Sequence, residues 1–154
     1  MRESVRSKGR FYQAMAEGVE PLANVGGHAV GRAARFLADA SQTAFRAKLV
    51  RQQHVAFEFA TSMTEVETAV ALARAAAKSG DALQQAQSRL WASQVALSVP
   101  TRLLAALTAA NLAAADLARL CQLGDLDGAV ALQAGGLADM NLVAEKITGF
   151  KIAE

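Results

Sequence analysis

Apolar side chains recur three and four positions apart along almost the whole chain, the spacing of amphipathic helices rather than of strands. Phe11, Ala14, Met15 and Val19 open the pattern, which stops at Pro21 and at the breaker cluster Asn24-Val25-Gly26-Gly27. Residues 1–27 therefore read as a short helical arm on a flexible joint, and residues 28–154 as the helical domain. A second stripe, Phe36, Leu37, Ala40, Ala44, Ala47, Val50, His54 and Phe57, predicts a helix from about 28 to 60. Thr61-Ser62-Met63-Thr64 interrupts it. Thr64 followed by Glu67 has the capping-box spacing, so the next helix is predicted to start there. It runs through Val66, Val70, Ala73, Ala77, Leu83, Leu90 and Leu97, with a bend at Ser79-Gly80-Asp81 and an end or kink at Pro100. Leu103, Leu107, Ala110, Ala114, Leu117 and Leu120 mark a third long helix capped by Gly124. Leu126, Val130, Leu137, Met140, Val143, Ile147 and Phe150 mark a last one. The class is all-α, as an antiparallel bundle or as elongated helical hairpins with coiled-coil-like seams.

One segment comes twice. Thr64-Glu65-Val66-Glu67-Thr68-Ala69-Val70-Ala71-Leu72 returns as Gly124-Asp125-Leu126-Asp127-Gly128-Ala129-Val130-Ala131-Leu132. Both copies follow an alanine-rich stretch and carry acids where a helix would begin, which suits its positive N-terminal end. They read as an internal repeat of a helix–turn–helix unit over 56–90 and 116–150.

Composition sharpens this picture. The 154 residues are 53% hydrophobic but only 5% aromatic, and alanine supplies roughly a quarter of them. Alanine is the strongest helix former and contributes little apolar area, so the helices should be firm and their seams thin. Runs of Val and Ile of the kind that build parallel sheets are missing, which argues against an α/β enzyme. The formal charge of +2 conceals an asymmetry: residues 1–51 hold nine Lys/Arg against four Asp/Glu, and residues 52–154 hold seven against ten. A basic first third either solvates one helix face or meets an anionic partner. With a single cysteine, Cys121, no intramolecular disulfide is expected. The N-terminal residues lack the apolar stretch of a secretory signal, and the longest uncharged run, residues 103–115, falls short of the roughly 20 needed to cross a bilayer. The expectation is a cytoplasmic protein without a transmembrane segment.

Reactive chemistry is sparse. His54 lies on the apolar stripe and His28 at the proposed joint; neither has metal-ligand spacing with another His or with Cys121. Glu65/Glu67 and Asp125/Asp127 are paired carboxylates, but residues two apart do not share a helix face, and capping accounts for them. Gly26-Gly27 and Gly135-Gly136 lack the strand, lysine and downstream acid of a phosphate-binding loop. Arg2, Arg6, Lys8 and Arg10 beside Phe11 and Tyr12 form a basic arm with aromatics, without a recognisable nucleic-acid-binding motif, so specific nucleic-acid binding is not expected. No enzyme, metal or cofactor is expected.

The stretch Ala105–Ile147, and more loosely Phe57–Leu90, resembles the phasins, small proteins that coat bacterial polyhydroxyalkanoate storage granules. The likeness lies in long alanine-rich amphipathic helices joined by a short acidic turn. It covers about half of the chain, and the basic arm and Trp91 fall outside it. It implies a homo-oligomeric structural protein, peripheral on storage granules, with no catalytic residues. Leu103, Leu107, Leu117, Leu126, Val130, Leu137 and Met140 are the expected surface-seeking or oligomer stripe. The alternative is a helical adaptor or assembly subunit that grips a partner protein through that stripe.

Overall fold

The computed structural model describes residues 2–150, with side chains from Gly9 onward. Met1 and residues 151–154, the outer ends of the two sequence-assigned segments, lie outside the described residues, as do the side chains of Arg2, Arg6 and Lys8 in the basic arm. Seven α-helices follow one another: α1 (Arg2–Val19), α2 (Gly27–Arg46), α3 (Gln53–Ser79), α4 (Ala82–Ala109), α5 (Ala114–Gly124), α6 (Leu126–Ala131) and α7 (Gly136–Thr148). No strand occurs among the described residues, and the class is all-α.

The first four helices form the bundle. α1 lies along α2, α3 along α4, and α2 against α4. Tyr12, Ala16 and Val19 put one face of α1 into the same core as the rest of the chain. The segment expected to be a separate arm is thus integrated. Its supposed flexible joint is a packed corner, formed by a short 3-10 turn at Ala23–Val25 with Val25 fully buried. Ser88 donates to the Val25 carbonyl at 2.7 Å and Arg89 to that of Asn24 at 2.8 Å. Gly26 (φ +83°) brings the corner so near α4 that a Cβ there would meet the Ala92 Cβ at 2.6 Å. The glycines that read as breakers are close-approach residues.

α2 is buried around most of its circumference, with Ala33, Ala34, Ala38, Ala40 and Ala44 interleaved with Val30, Phe36 and Leu37. It ends at Arg46, well short of residue 60, because the chain must reverse there. Lys48 takes the left-handed conformation (φ +60°) and a 3-10 turn, Leu49–Arg51, leads into α3. The expected stripe therefore breaks after Ala44: Val50 is half-buried, and Ala47, His54 and Phe57 are exposed. α3 then passes through Thr61–Thr64 without interruption. The Thr61 and Thr64 hydroxyls donate back to the carbonyls of Phe57 and Ala60, an arrangement that keeps such residues inside a helix. No capping box forms. Gly80 (φ +67°) caps α3, and Asp81 accepts from the Gln84 N–H to start α4, so the predicted bend is a full break.

α4 spans 28 residues and runs straight through Pro100, which is buried against Gly124. It is the hub, in contact with α2, α3, α5, α6 and α7. The predicted third helix is divided between two elements. Residues 103–109 finish α4, Asn111 (φ +60°) turns the chain, and α5 follows. The predicted fourth helix is divided by Gln133–Gly135. The two copies of the repeated segment accordingly occupy different settings: Thr64–Leu72 is mid-helix, whereas Gly124–Leu132 spans the α5–α6 corner.

Polar contacts fasten the seams. Arg102 grips Glu65 with two 2.8 Å bonds and lies 3.5 Å from Glu58, and Ser98 donates to Glu65 at 3.1 Å. Hydrogen bonding to Glu65 raises the Arg102 pKa further. Across the α1–α3 seam, the Tyr12 hydroxyl donates to Glu67 at 2.6 Å. Burial first, and then that bond, hold the Tyr12 hydroxyl pKa above its ordinary value.

Leu107 is fully buried, so Leu107→Ala should lower stability by about 3 kcal/mol, seen as a lower midpoint in urea unfolding. The folded state binds the Tyr12 proton more tightly than the unfolded chain does. Its contribution is whole below about pH 10 and declines as pH rises through the higher folded value. Tyr12→Phe should remove that part of the alkaline decline in stability, and an equally steep decline in the variant would refute the assignment.

Candidate apolar binding face

The C-terminal segment descends antiparallel along α4. Gly124 lies beside Pro100 and Leu104, Gly136 beside Leu90, and Asp139 pairs with Arg89. Leu112, Leu120 and Ala129 are its buried anchors, with Leu117 and Leu132 packed partly against the core. Beyond Leu132 no described residue of the segment is buried.

The helical register of α7 explains its position. Leu137, Met140, Ala144 and Ile147 share one side, and Asp139, Leu142 and Val143 share the other. Asp139 takes two bonds from Arg89, at 2.9 and 2.5 Å, while the third nitrogen of Arg89 holds the Asn24 carbonyl. Bonding to Asp139 outweighs burial and raises the Arg89 pKa. Earlier in the descent, at the α5–α6 corner, Arg32 holds both the side chain and the carbonyl of Asp125, at 2.8 and 2.9 Å. These two arginines attach the segment to the bundle, and Leu142 and Val143 add half-buried contacts.

With Asp139, Leu142 and Val143 turned to the bundle, α7 leaves Leu137, Met140 and Ile147 in water. Leu137 is 68% exposed and Ile147 72%; Met140 and Val130 exceed half, and Leu126 is exposed too. Leu123 and Phe150, at the two ends of the stretch, extend the set. The structure thus divides the predicted stripe. Leu103 and Leu107 are core residues of α4, fully buried, and are not available to a partner. Leu117 is half-buried under α5. Leu126 and Val130 on α6, and Leu137, Met140 and Ile147 on α7, form successive exposed ridges.

A hollow of about 190 Å³ between α2, α4 and α7 is lined by Arg89, Asp139, Leu90 and Leu132, with His28 at its rim. Arg89 and Asp139 are bonded to each other there. No group of three or more potential metal ligands occurs among the described residues. Of the paired acids, Glu65 and Glu67 are mid-helix and bound to Arg102 and Tyr12; Asp125 caps α6 through the Gly128 N–H, as expected of it, and Asp127 sits in its first turn. Cys121 is exposed on α5. His54 is exposed in an open hollow with Phe57. By length and composition α4 would be able to cross a membrane, with a mean hydropathy of 1.2 over 18 residues. Here its apolar side chains are shared among the five helices around it.

Compared with known proteins, the chain matches no family model, no curated protein and no solved structure.

Sequence reasoning missed Arg89, Asp139 and Arg32. The partners are 50 and 93 positions apart, and no local spacing links them. Asp139→Ala should speed amide exchange across α7 about tenfold relative to α3 and α4, since a partly buried, two-bond Arg–carboxylate pair is worth on the order of 1 kcal/mol. Hydrogen-exchange mass spectrometry reads this directly; uniform loosening of the whole bundle would show that the pair does not act locally.

Proposed function

We propose that this is a non-catalytic helical protein that attaches to a low-polarity surface through the ridge of α6 and α7, as a phasin-like protein would on polyhydroxyalkanoate granules. The observation that carries the reading is the concentration of exposed large apolar side chains on one C-terminal segment, while the bundle beneath keeps its own core. Scattered surface leucines are ordinary; a ridge of Leu126, Val130, Leu137, Met140 and Ile147 along consecutive elements is the signature of an interaction site.

The energetics suit adhesion. Burying one Leu, Met or Ile side chain is worth about 1.5–3 kcal/mol, so a few of them hold the protein on an apolar boundary. Leu103 and Leu107 remain inside, and the bundle need not open to adsorb. On this reading the protein is peripheral on storage granules in the cytoplasm, and copies associate side by side through whatever part of the ridge the surface leaves uncovered.

A second reading follows from one feature of α7. Leu137, Met140, Ala144 and Ile147 have the spacing with which a helix enters a partner's groove, which favours an adaptor binding another protein.

Purified protein should partition onto polyester particles without any added partner. Replacing Leu137, Met140 and Ile147 by Asp should weaken that adsorption at least roughly tenfold and leave the urea midpoint unchanged, because all three side chains are exposed. Wild-type protein that ignores the particles would overturn the coating reading and leave the adaptor.

A further inference from the structure

We propose that the end of the bundle where α2 turns into α3 docks on the surface of an anionic lipid bilayer. The backbone register assembles this end from separate parts of the chain. α1 runs antiparallel to α2, with Gly9 against Gln42 and Glu20 paired with Arg35. It runs parallel to α3, with Tyr12 on Glu67 and Gly18 against Arg74. Extending both registers places the N-terminal end of α1 level with the α2–α3 turn and the start of α3.

That turn holds Arg46, Lys48 and Arg51, all exposed or nearly so and none in an ion pair. The acids of the neighbouring elements are mostly engaged: Glu58 faces Arg102, and Asp39 lies 3.8 Å from Arg119. Asp116, in the first turn of α5, faces the positive end of its own helix. Three cations within six residues thus meet little local compensation, and the charge asymmetry of the sequence becomes a charged end of the molecule. Near the start of α3, Phe57 is 67% exposed in a hollow shared with Gln53, His54 and Glu58.

The shape selects the partner. The cations sit on a short turn between two helices at one end of the bundle, and an exposed phenyl ring follows six residues after Arg51, a combination suited to a flat anionic surface with an apolar layer beneath it. A nucleic-acid reader would instead carry its cations along a groove or helix face with several stacking rings. The ridge described above lies elsewhere: α7 descends towards the N-terminal end of α4, so Ile147 stands near the opposite end of the bundle. The proposal therefore stands apart from the granule reading.

The test is co-sedimentation of the full chain with vesicles of phosphatidylcholine alone and with added phosphatidylserine. Binding should need the anionic lipid and should fall when salt is raised from about 0.1 M to about 0.5 M. Each cation contributes roughly fivefold, so Arg46→Gln, Lys48→Asn and Arg51→Gln together should weaken binding about a hundredfold; asparagine tolerates the positive φ at position 48. Circular dichroism melting should show the variant folded. The variant with Asp at 137, 140 and 147 should bind anionic vesicles as the wild type does. Equal binding to both vesicle types, loss of binding in that ridge variant, or a preference for a DNA oligonucleotide over anionic vesicles would each overturn the proposal.

Discussion

The whole molecule depends on how closely α2 can approach α4. Their contact is built from residues with little or no side chain: Gly26 meets Ala92 where no further atom would fit, and alanines line most of the inward surface of α2. A seam of this kind stabilises each layer only modestly, since burial scales with apolar area. It compensates by geometry, because closely spaced helices let the few large residues, Leu37, Leu103, Leu107 and Leu120, be fully enclosed. Once α4 is held in this way it offers three further sides, on which α3, α5 and the descending α6–α7 segment are laid. Polar bonds then appear where the apolar contact runs thin. Arg102 serves the α3–α4 seam, Tyr12 the α1–α3 seam, and Arg32 with Arg89 the C-terminal segment.

The helical class was legible because periodicity of 3.6 and an abundance of alanine leave no other regular structure. The ends of the helices were not. Thr61–Thr64 looks like a boundary, yet hydroxyls that bond back one turn remove the break. Pro100 looks like an end, yet a proline costs a helix only one hydrogen bond and some crowding, and α4 has contacts along both sides to offset them. Conversely, the turn at Ala47–Gln52 has no glycine or proline to announce it; the need to fold α3 back on the core decides it. The repeated nine-residue segment shows the same rule, since like sequences took unlike backbones in unlike surroundings.

The binding face was half legible. Periodicity identified Leu126, Val130, Leu137 and Met140 as one apolar set, but it also enrolled Leu103 and Leu107, since a stripe looks the same whether it faces a core or water. The residue that decides the orientation of α7 is Asp139. The carboxylate held by Arg89 fixes Asp139, Leu142 and Val143 against the bundle and leaves Leu137, Met140 and Ile147 outward. That is a long-range pairing, invisible to any window of sequence. The glycines were misread for a related reason: a flexible residue and a residue that must be small carry the same letter.

The absence of any fully buried residue in α7 has a practical corollary. Gly135 touches nothing that a side chain would displace, and the outward side of the helix beyond it meets no other part of the chain's core. Side chains of that last helix can therefore be exchanged on its outer side, or its leading loop lengthened, without repacking the interior, which makes it a natural place to graft a label or a new recognition element.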